Sequence, residues 1–489
     1  MPSPKLRENI LYYGSSQFFQ QGVGWVRGFL VASILGPTYT GHLSIWGLFF
    51  VYGSLSQLGF QDGMYKLVGL VRGAGRTGEA ASLRDSGALS VLGCALLYFL
   101  GCLVFAWWNY QGPFGLDQFG IGMAGLAVVL YHAYNLQGTL FRLNNDFKTV
   151  GLAQVCYTST EFLWVMVFIL PFGIYGVAAV SPLAFLAPIA YLFFRRKENF
   201  QIFWRWGSAL RCWKAGFPLL LAGAAYTFLT TLDRLFIATN FSATEMGYYS
   251  MAATVVGLLP VFPIALASIL YVRMLERVGK SGRETDLEAL LKKSTLVLSV
   301  YSAFLVALLV PAVEVCMNLL LPLYKDSIPL THALLLGAYS LSILHVAYNL
   351  LVAIERQRWI LLAQGVCLGS ALAAYIWIVH RDLGLLGIAW ASSLIQTLYC
   401  WMVLALALSR YEKNGFRLSL IVLRYHLPFL YALGIHTLLG EVPASLEGAA
   451  FFWAQSLRVL GIGLAFLPVF VWLFRRYGWS FSQLTKIRL

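Results

Sequence analysis

The stretch FLVASILGPTYTGHLS (residues 29–44) is the most informative part of the sequence, because LFIATNFSATEMGYYS (residues 235–250) repeats its pattern. Alanine, glycine and serine recur at the same three places, which are Ala32, Gly41 and Ser44 in the first copy. Three more pairs of similar segments follow in the same order: 131–136 with 344–350, 150–156 with 360–367, and 173–181 with 384–392. Collinear matches of this kind predict an internal duplication, which sets the architecture of the whole chain.

The composition indicates a membrane protein. Of the 489 residues, 59% are hydrophobic and only 11% are charged, whereas soluble domains carry about 25% charged residues. Apolar runs of about 20 residues, the length of a membrane-spanning helix, recur from end to end. A transmembrane barrel would instead show alternation over segments of about 10 residues. The sequence therefore predicts an all-α, polytopic membrane protein.

The apolar runs predict about fourteen transmembrane helices of bilayer length. Their predicted centres are Trp25, Phe50, Leu97, Ala127, Phe162, Ala184, Phe228, Leu258, Ala303, Leu341, Ser370, Ser393, Tyr431 and Leu464. Pro260 and Pro263 are expected to kink the eighth helix, and Pro428 interrupts the thirteenth run. The apolar segment 312–322 is too short to span a bilayer and predicts a loop or a half-helix.

The repeat predicts two lobes. Each copy holds six helices, and an even number means that both copies enter the membrane in the same direction, related by an axis along the membrane normal. We expect an N-terminal lobe at 1–214, a C-terminal lobe at 215–410, and two additional helices at 411–489. Two such lobes around a central cavity are typical of transporters.

The net charge of +14 is an orientation signal. Most Lys and Arg residues fall in segments on one side of the predicted membrane, and Lys325, Arg381 and Arg458 fall on the other. Since cytoplasmic loops carry the positive charge, both termini are expected in the cytoplasm. This pattern favours attraction to anionic membrane lipids and argues against nucleic-acid binding. The N-terminus has no clear cleavage site and predicts a retained first helix rather than a signal peptide.

Two predicted helices carry polar stripes at helical spacing. The members of the first stripe are Gln17, Gln20, Gln21, Gly24 and Arg27, and those of the second are Gly223, Thr227, Thr230, Thr231 and Arg234. The repeat superimposes the two stripes, as expected for helices that face a wet cavity. The candidate substrate-binding residues are Arg27, Arg234, Gln17, Gln21 and Thr230.

The charges inside these helices leave two alternatives open. The repeat places Arg27 over Asp233, so an Arg27–Asp233 ion pair could hold the lobes together. Alternatively, Arg27 and Arg234 contact an anionic substrate. The two are compatible, because a pair that breaks when substrate enters would be a gate. Snorkelling of the arginines to the membrane surface is a third reading.

Two acidic residues are candidates for ion coupling. Glu161 shares a helix face with Gln154 and Thr158, and is either a titrating coupling site or a neutral hydrogen-bonded acid. Asp62 lies near the cytoplasmic end of the second helix, where it is expected to face lipid headgroups or Lys66.

No motif for catalysis is present. The sequence contains no nucleophile elbow, phosphate-binding loop or metal-spaced His/Cys cluster, and its seven cysteines are scattered. We expect no enzyme activity, no metal and no cofactor.

A family resemblance rests on four segments. LGPTYTGHLSIWGLFFVYGSLSQLGFQDGMYKLV (35–68) and LDRLFIATNFSATEMGYYSMAATVVGLLP (232–260) resemble signatures of polysaccharide flippases, and GIYGVAAV (173–180) and GLLGIAWA (384–391) resemble their glycine-rich turns. The chain is similar to the Wzx-type O-antigen and exopolysaccharide flippases, within the superfamily that also holds multidrug antiporters and lipid II flippases. The resemblance implies a lipopolysaccharide or exopolysaccharide pathway in the bacterial inner membrane. It also implies a polyprenyl-pyrophosphate-linked oligosaccharide as substrate, moved from the cytoplasmic to the periplasmic leaflet by alternating access. Expected partners are a polysaccharide polymerase and a chain-length regulator.

Two other functions compete with this interpretation. A multidrug or cation antiporter of the same superfamily would need acidic residues in its cavity, and only Glu161 and Asp62 are obvious. A membrane polymerase or ligase would resemble its relatives in having a large outer loop with catalytic residues, which this sequence lacks.

Overall fold

The protein is helical throughout the part of the chain that the computed structural model describes. That part comprises residues 4–108, 118–196, 203–267, 270–271, 274, 285–440, 442 and 448–477, and no strand occurs in it. The first eight helices are α1 (Pro4–Gly53), α2 (Phe60–Gly73), α3 (Thr77–Trp108), α4 (Gln118–Leu143), α5 (Phe147–Leu183), α6 (Leu186–Arg195), α7 (Trp206–Asn240) and α8 (Ala243–Val256). The others are α9 (Val261–Ala267), α10 (Thr285–Val315), α11 (Ser327–Ala353), α12 (Gln357–His380), α13 (Gly384–Leu408), α14 (Gly415–Arg424), α15 (Leu427–Leu439) and α16 (Gly448–Tyr477). The all-α prediction is confirmed.

Two glycines divide the longest helices. The 50 residues of α1 would form a straight rod of about 75 Å, far longer than the bilayer core of about 30 Å. Gly36 breaks this rod with a φ of 75°, and Pro37 follows it. Gly173 breaks α5 in the same way with a φ of 56°. Glycine suits both places because it adopts positive φ without steric cost.

Several helices are long enough to cross a membrane. Among the described residues, nine helices are long and apolar enough to do so, and two bent helix pairs raise the number to eleven. Gly36 and Gly173 further divide α1 and α5. The chain is therefore a multi-pass membrane protein, and the number of fourteen spans stays a prediction.

The bent pairs lie where prolines were expected to disturb helices. α8 and α9 meet at 45° across a break that ends at Pro260, and α14 and α15 meet at 42° just before Pro428. The segment 312–322 differs from its prediction, because α10 continues as a π-helix, Cys316–Leu320, before the chain turns. Most of the basic loop expected after the eighth helix lies outside the described residues, as does the end of the C-terminal tail.

The chain divides into two compact units. Unit 1 comprises residues 1–227 and 237–247, and unit 2 comprises 228–236 and 248–489. The division falls within α7, beyond the lobe boundary expected at 214, and the additional helices at 411–489 belong to unit 2. In unit 1, α1 packs on α4 and α5, and α3 packs on α2 and α4. In unit 2, α11 packs against α10 and α13, while α15 and α16 cover α10. The two-lobed repeat stays a prediction.

Within unit 1, the beginning of α7 lies so close to α2 that the two backbones are in contact. A Cβ atom on Gly63 would lie 1.8 Å from the carbonyl oxygen of Cys212, and one on Gly216 would lie 1.8 Å from that of Gly59. Only glycine fits such a contact. The thiol of Cys212 is buried beside it and lies 3.6 Å from the carbonyl oxygen of Leu83.

Candidate substrate site

The polar stripe of α1 meets a second stripe on α5, and Gln154 lies at the centre of the contact. Ser16 and Gln17 donate to its Oε1 at 3.2 and 2.8 Å, and its Nε2 donates to Oε1 of Gln20. One turn further along α5, the Thr158 hydroxyl donates to the Gln154 carbonyl at 3.0 Å. Because polar groups between membrane helices need partners in the protein, these bonds fix the register of α1 against α5.

The same seam contains an ion pair. The guanidinium of Arg27 on α1 pairs with the carboxylate of Glu161 on α5, and the Tyr157 hydroxyl donates to that carboxylate at 3.1 Å. The side chains of Arg27 and Glu161 keep 30% and 17% of their surface exposed. Arg27 therefore has a counter-ion within its own unit.

Asp233, the partner that the repeat indicated for Arg27, is held by other groups inside unit 2. It is 5% exposed, and its Oδ2 accepts from the Tyr249 hydroxyl at 2.5 Å while its Oδ1 accepts from the backbone amide of Arg234 at 2.7 Å. Ser392 continues the network, 3.2 Å from the Tyr249 hydroxyl. Arg27 and Asp233 thus each have a partner in their own unit, and the Arg27–Asp233 pair stays a prediction. The internal repeat shows which positions correspond in the two copies. Which side chains form an ion pair depends instead on which helices are in contact.

Arg234 is placed differently from Arg27. It lies on α7, partly buried, and its Nε is buried without a hydrogen-bond partner among the described residues. A buried guanidinium donor with no acceptor is costly unless a ligand supplies one. This observation marks Arg234 as a candidate for binding an anionic group.

Aromatic rings lie next to the ion pair in unit 1. The ring of Tyr157 stacks on Phe185 with centroids 4.6 Å apart, and Tyr134 and Tyr131 lie 5.9 and 6.0 Å from the same phenylalanine. Phe50 of α1 completes the cluster at 6.3 Å from Phe185. The cluster places flat apolar faces beside hydrogen-bonding hydroxyls and amides.

On another edge of the seam, α1 and α5 form an apolar groove with a volume of about 380 Å³. Its lining residues are Phe19, Gly22, Val23, Val26, Ser159, Phe162 and Leu163. Arg27 and Glu161 directly adjoin this lining in sequence, so the groove borders the ion pair.

Asp62 belongs to a separate polar group of unit 1. Its Oδ2 accepts from Nε2 of Gln57 at 2.8 Å, a contact that the sequence did not suggest; facing lipid headgroups or Lys66 stays a prediction. Nearby, Thr139 accepts from Gln61 at 3.1 Å and from Arg142 at 2.9 Å. The amides of Gln57 and Gln61 were not predicted as site residues, although their i, i+4 spacing was a visible signal.

Two further predicted residues, Gln21 and Thr230, lie on different helices. Gln21 is exposed on α1, whereas Thr230 is partly buried on α7 in unit 2. The Nε2 of His132 lies 3.2 Å from the carbonyl oxygen of Gly53 and 3.2 Å from the Ser56 hydroxyl. These contacts fit a role in joining helices.

Arg458 requires a correction. The sequence placed it on the outer side of the membrane, but it lies within α16, is 7% exposed and pairs with Glu314 at 3.0 Å. Neither residue was predicted as a site residue. A Glu near the end of one apolar helix and an Arg inside another were the available signals.

Comparison with known proteins identifies the fold. A family model described as "Polysaccharide biosynthesis protein" matches residues 91–271, and no curated protein matches. The lipid II flippase MurJ in its inward closed conformation superimposes with a TM-score of 0.69 at 15% identity, covering 96% of this chain and 99% of that one. An inward-facing multidrug resistance transporter of the MATE family, within the MOP superfamily, gives 0.66 at 14% identity, covering 82% and 95%.

A third structure broadens the comparison. A MOP superfamily transporter from Pyrococcus furiosus, whose reported pocket has reverse polarity, gives a TM-score of 0.55 at 14% identity, covering 85% of this chain and 96% of that one. The resemblance seen in the sequence is confirmed: the chain has the fold of these transporters, and part of it matches a polysaccharide biosynthesis family.

Proposed function

We propose that the protein is a flippase that moves an oligosaccharide, linked to a polyprenyl pyrophosphate, from the cytoplasmic to the periplasmic leaflet of a bacterial inner membrane. The α1–α5 seam carries the proposal, because it combines glutamine amides, aromatic faces, an ion pair and an apolar groove in one unit. Amides and tyrosine hydroxyls hydrogen-bond sugar hydroxyls, while aromatic faces pack on the apolar faces of sugar rings. O-antigen and exopolysaccharide units are the substrate classes that we propose.

The pyrophosphate needs a cation. Arg234 offers a buried donor without a partner, and guanidinium groups bind phosphate oxygens in bidentate fashion. Arg27 becomes available only when its pair with Glu161 opens, so a phosphate that replaces Glu161 would act as a switch at the seam. The apolar groove beside the pair suits the hydrocarbon chain of the polyprenyl carrier.

The charges support this substrate over an organic cation. Glu161 is neutralised by Arg27, and Asp233 is held by Tyr249. Asp62, bonded to Gln57, is the remaining acid among those expected to bind a cation. We propose movement by alternating access, with both termini in the cytoplasm, and a polymerase and a chain-length regulator as partners.

Reconstitution tests the proposal directly. Vesicles containing the protein receive a fluorescent polyprenyl-pyrophosphate-linked disaccharide, and a membrane-impermeant quencher then reports how much probe reaches the outer leaflet. We expect the protein to accelerate exchange between leaflets, and Arg234→Gln to slow it. Arg381→Gln, a change at an exposed arginine that ends α12, is the matched control and should exchange like the wild type.

Two results would count against the proposal. Exchange no faster than in protein-free vesicles would contradict flipping of this substrate class. Expulsion of a fluorescent organic cation, without exchange of the lipid-linked probe, would identify a multidrug antiporter instead.

A further inference from the structure

The short helix α14 of unit 2 has two different exposed faces. Its exposed large apolar side chains share one face, within about 60° of one another by helical periodicity; they are Phe416, Leu420 and Leu423. Two exposed arginines, Arg417 and Arg424, lie together on the adjoining face, seven residues apart. The opposite face contains the buried Val422. An apolar row beside a basic row is the pattern of a helix at a membrane surface.

The two arginines are not used inside the protein. Among the described residues, neither the guanidinium of Arg417 nor that of Arg424 forms a hydrogen bond, an ion pair or a ring contact. Arg72 of α2, by contrast, donates to Asn144 at 2.8 Å. The acid nearest to α14 in the sequence, Glu412, accepts from a backbone amide at 3.0 Å. Each guanidinium therefore keeps its donors for a group from another molecule.

Hydrogen bonds at its C-terminal end hold α14 in place. The carbonyl oxygen of Tyr425, directly after the helix, accepts from the hydroxyls of Ser299 and Tyr339, both at 2.6 Å. Next to it, the indole of Trp401 donates to Nε2 of His426 at 3.2 Å. These bonds join the end of α14 to α10, α11 and α13. The arginine face therefore has a fixed direction.

The length of α15 sets the depth of the two arginines. α14 and α15 meet at 42° and together are long and apolar enough for one membrane span. The 13 residues of α15 rise about 20 Å, whereas the bilayer core is about 30 Å thick. α14 must therefore supply the rest, which places Arg424 below the headgroups and Arg417 two turns closer to the surface. A charge at that depth is costly unless its side chain reaches a partner at the membrane surface.

We infer that α14 forms a binding site for an anionic phospholipid. Arg417 and Arg424 hold the headgroup, since guanidinium groups bind phosphate oxygens in bidentate fashion. The acyl chains lie along the exposed row that begins at Phe416. Two positive charges favour a lipid with net negative charge over a zwitterionic one, and each contributes about 5-fold. The inference does not depend on the proposed transport function.

Photo-crosslinking in vesicles tests this site. Full-length protein is reconstituted in phosphatidylcholine with a small fraction of either phosphatidylglycerol or phosphatidylcholine that has a photoreactive acyl chain. Mass spectrometry of chymotryptic peptides then measures the labelling of α14. We expect phosphatidylglycerol to label α14 about 25-fold more than phosphatidylcholine does, because each arginine contributes about 5-fold. Arg417→Gln and Arg424→Gln should each lower this ratio about 5-fold, and the double variant should be labelled equally by both lipids.

The matched control removes the same charge elsewhere. The double variant Arg356→Gln/Arg358→Gln changes two arginines at the beginning of α12 and should keep the wild-type ratio. The Arg417→Gln/Arg424→Gln variant should unfold at the wild-type temperature in phosphatidylcholine, since neither guanidinium is bonded within the protein.

Four results would overturn the inference. The first two are equal labelling of the wild type by both lipids, and a ratio that persists without the two α14 arginines. A ratio lost equally in the α12 control would mean that the overall charge acts and not this site. No labelling of α14 by either lipid would mean that another protein covers this face.

Discussion

Replacing Gly63 by alanine should open the contact between α2 and the beginning of α7. The new Cβ would lie 1.8 Å from the carbonyl oxygen of Cys212, and this distance must rise to at least 3.4 Å for ordinary contact. Overpacking of this kind costs about 1–3 kcal/mol, which shifts an equilibrium between closed and open states about 5- to 150-fold. Gly69→Ala on the same helix is the matched control, because its nearest atom, Cδ2 of Leu143, lies 3.9 Å away.

The buried thiol beside Gly63 reports this opening. Cys212 is 0% exposed, so its alkylation by N-ethylmaleimide, followed peptide by peptide with mass spectrometry, measures how often the contact opens. We expect the rate to rise by about 5- to 150-fold in Gly63→Ala and to stay at the wild-type value in Gly69→Ala. Cys367, equally buried in unit 2, serves as an internal reference for general unfolding.

Two results would contradict this expectation. An unchanged Cys212 rate in Gly63→Ala would mean that the backbones do not approach as closely as the structure shows. A Cys367 rate that rises by the same factor would mean that the substitution unfolds the protein instead of opening one contact.

Three further predictions concern the stability of the polar networks, measured by chemical unfolding in detergent. Arg27→Gln and Glu161→Gln should each lower the free energy of unfolding by about 2 kcal/mol, because each leaves the other charge without its partner. The double variant should lose less than the sum of the two, because it contains no unpaired charge. Additive losses would contradict the ion pair. Tyr249→Phe should cost about 1.5–3 kcal/mol, because a buried carboxylate loses its hydroxyl donor. Asp233→Asn, which keeps an acceptor for that hydroxyl, should cost less, and the reverse order would contradict this assignment. Gln154→Leu should cost about 1–3 kcal/mol, because the α1 amides lose their partner, and a neutral effect would contradict the α1–α5 seam.

The sequence predicted the helices well, because bilayer thickness imposes their length and composition. The breaks were visible as well. Gly36 is followed by Pro37, and Gly173 begins the glycine-rich segment 173–180 between the fifth and sixth predicted helix centres. Pro260 and Pro428 disturb their helices where expected, because proline removes a backbone hydrogen bond wherever it occurs in a helix.

The site was predicted only in part, for a physical reason. Periodicity showed that Gln17 and Arg27 share a face of α1, and that Gln154 and Glu161 share a face of α5. It does not show which helices touch, so the repeat suggested Asp233 as the partner of Arg27 when the adjacent α5 supplies Glu161.

The pair of Arg458 and Glu314 was missed for a similar reason. Counting charges by predicted side treated Arg458 as a loop residue, because the beginning of α16 is not marked by a strong signal. Its partner Glu314 lies more than a hundred residues away, and only packing brings the two together.

Leaflet exchange of a fluorescent polyprenyl-pyrophosphate disaccharide, in vesicles that contain only this protein and lipid, decides whether the protein is a flippase. We expect exchange that depends on the protein, slows in Arg234→Gln and persists in Arg381→Gln. Exchange equal to that of protein-free vesicles, or equal rates in the wild type and Arg234→Gln, would contradict it.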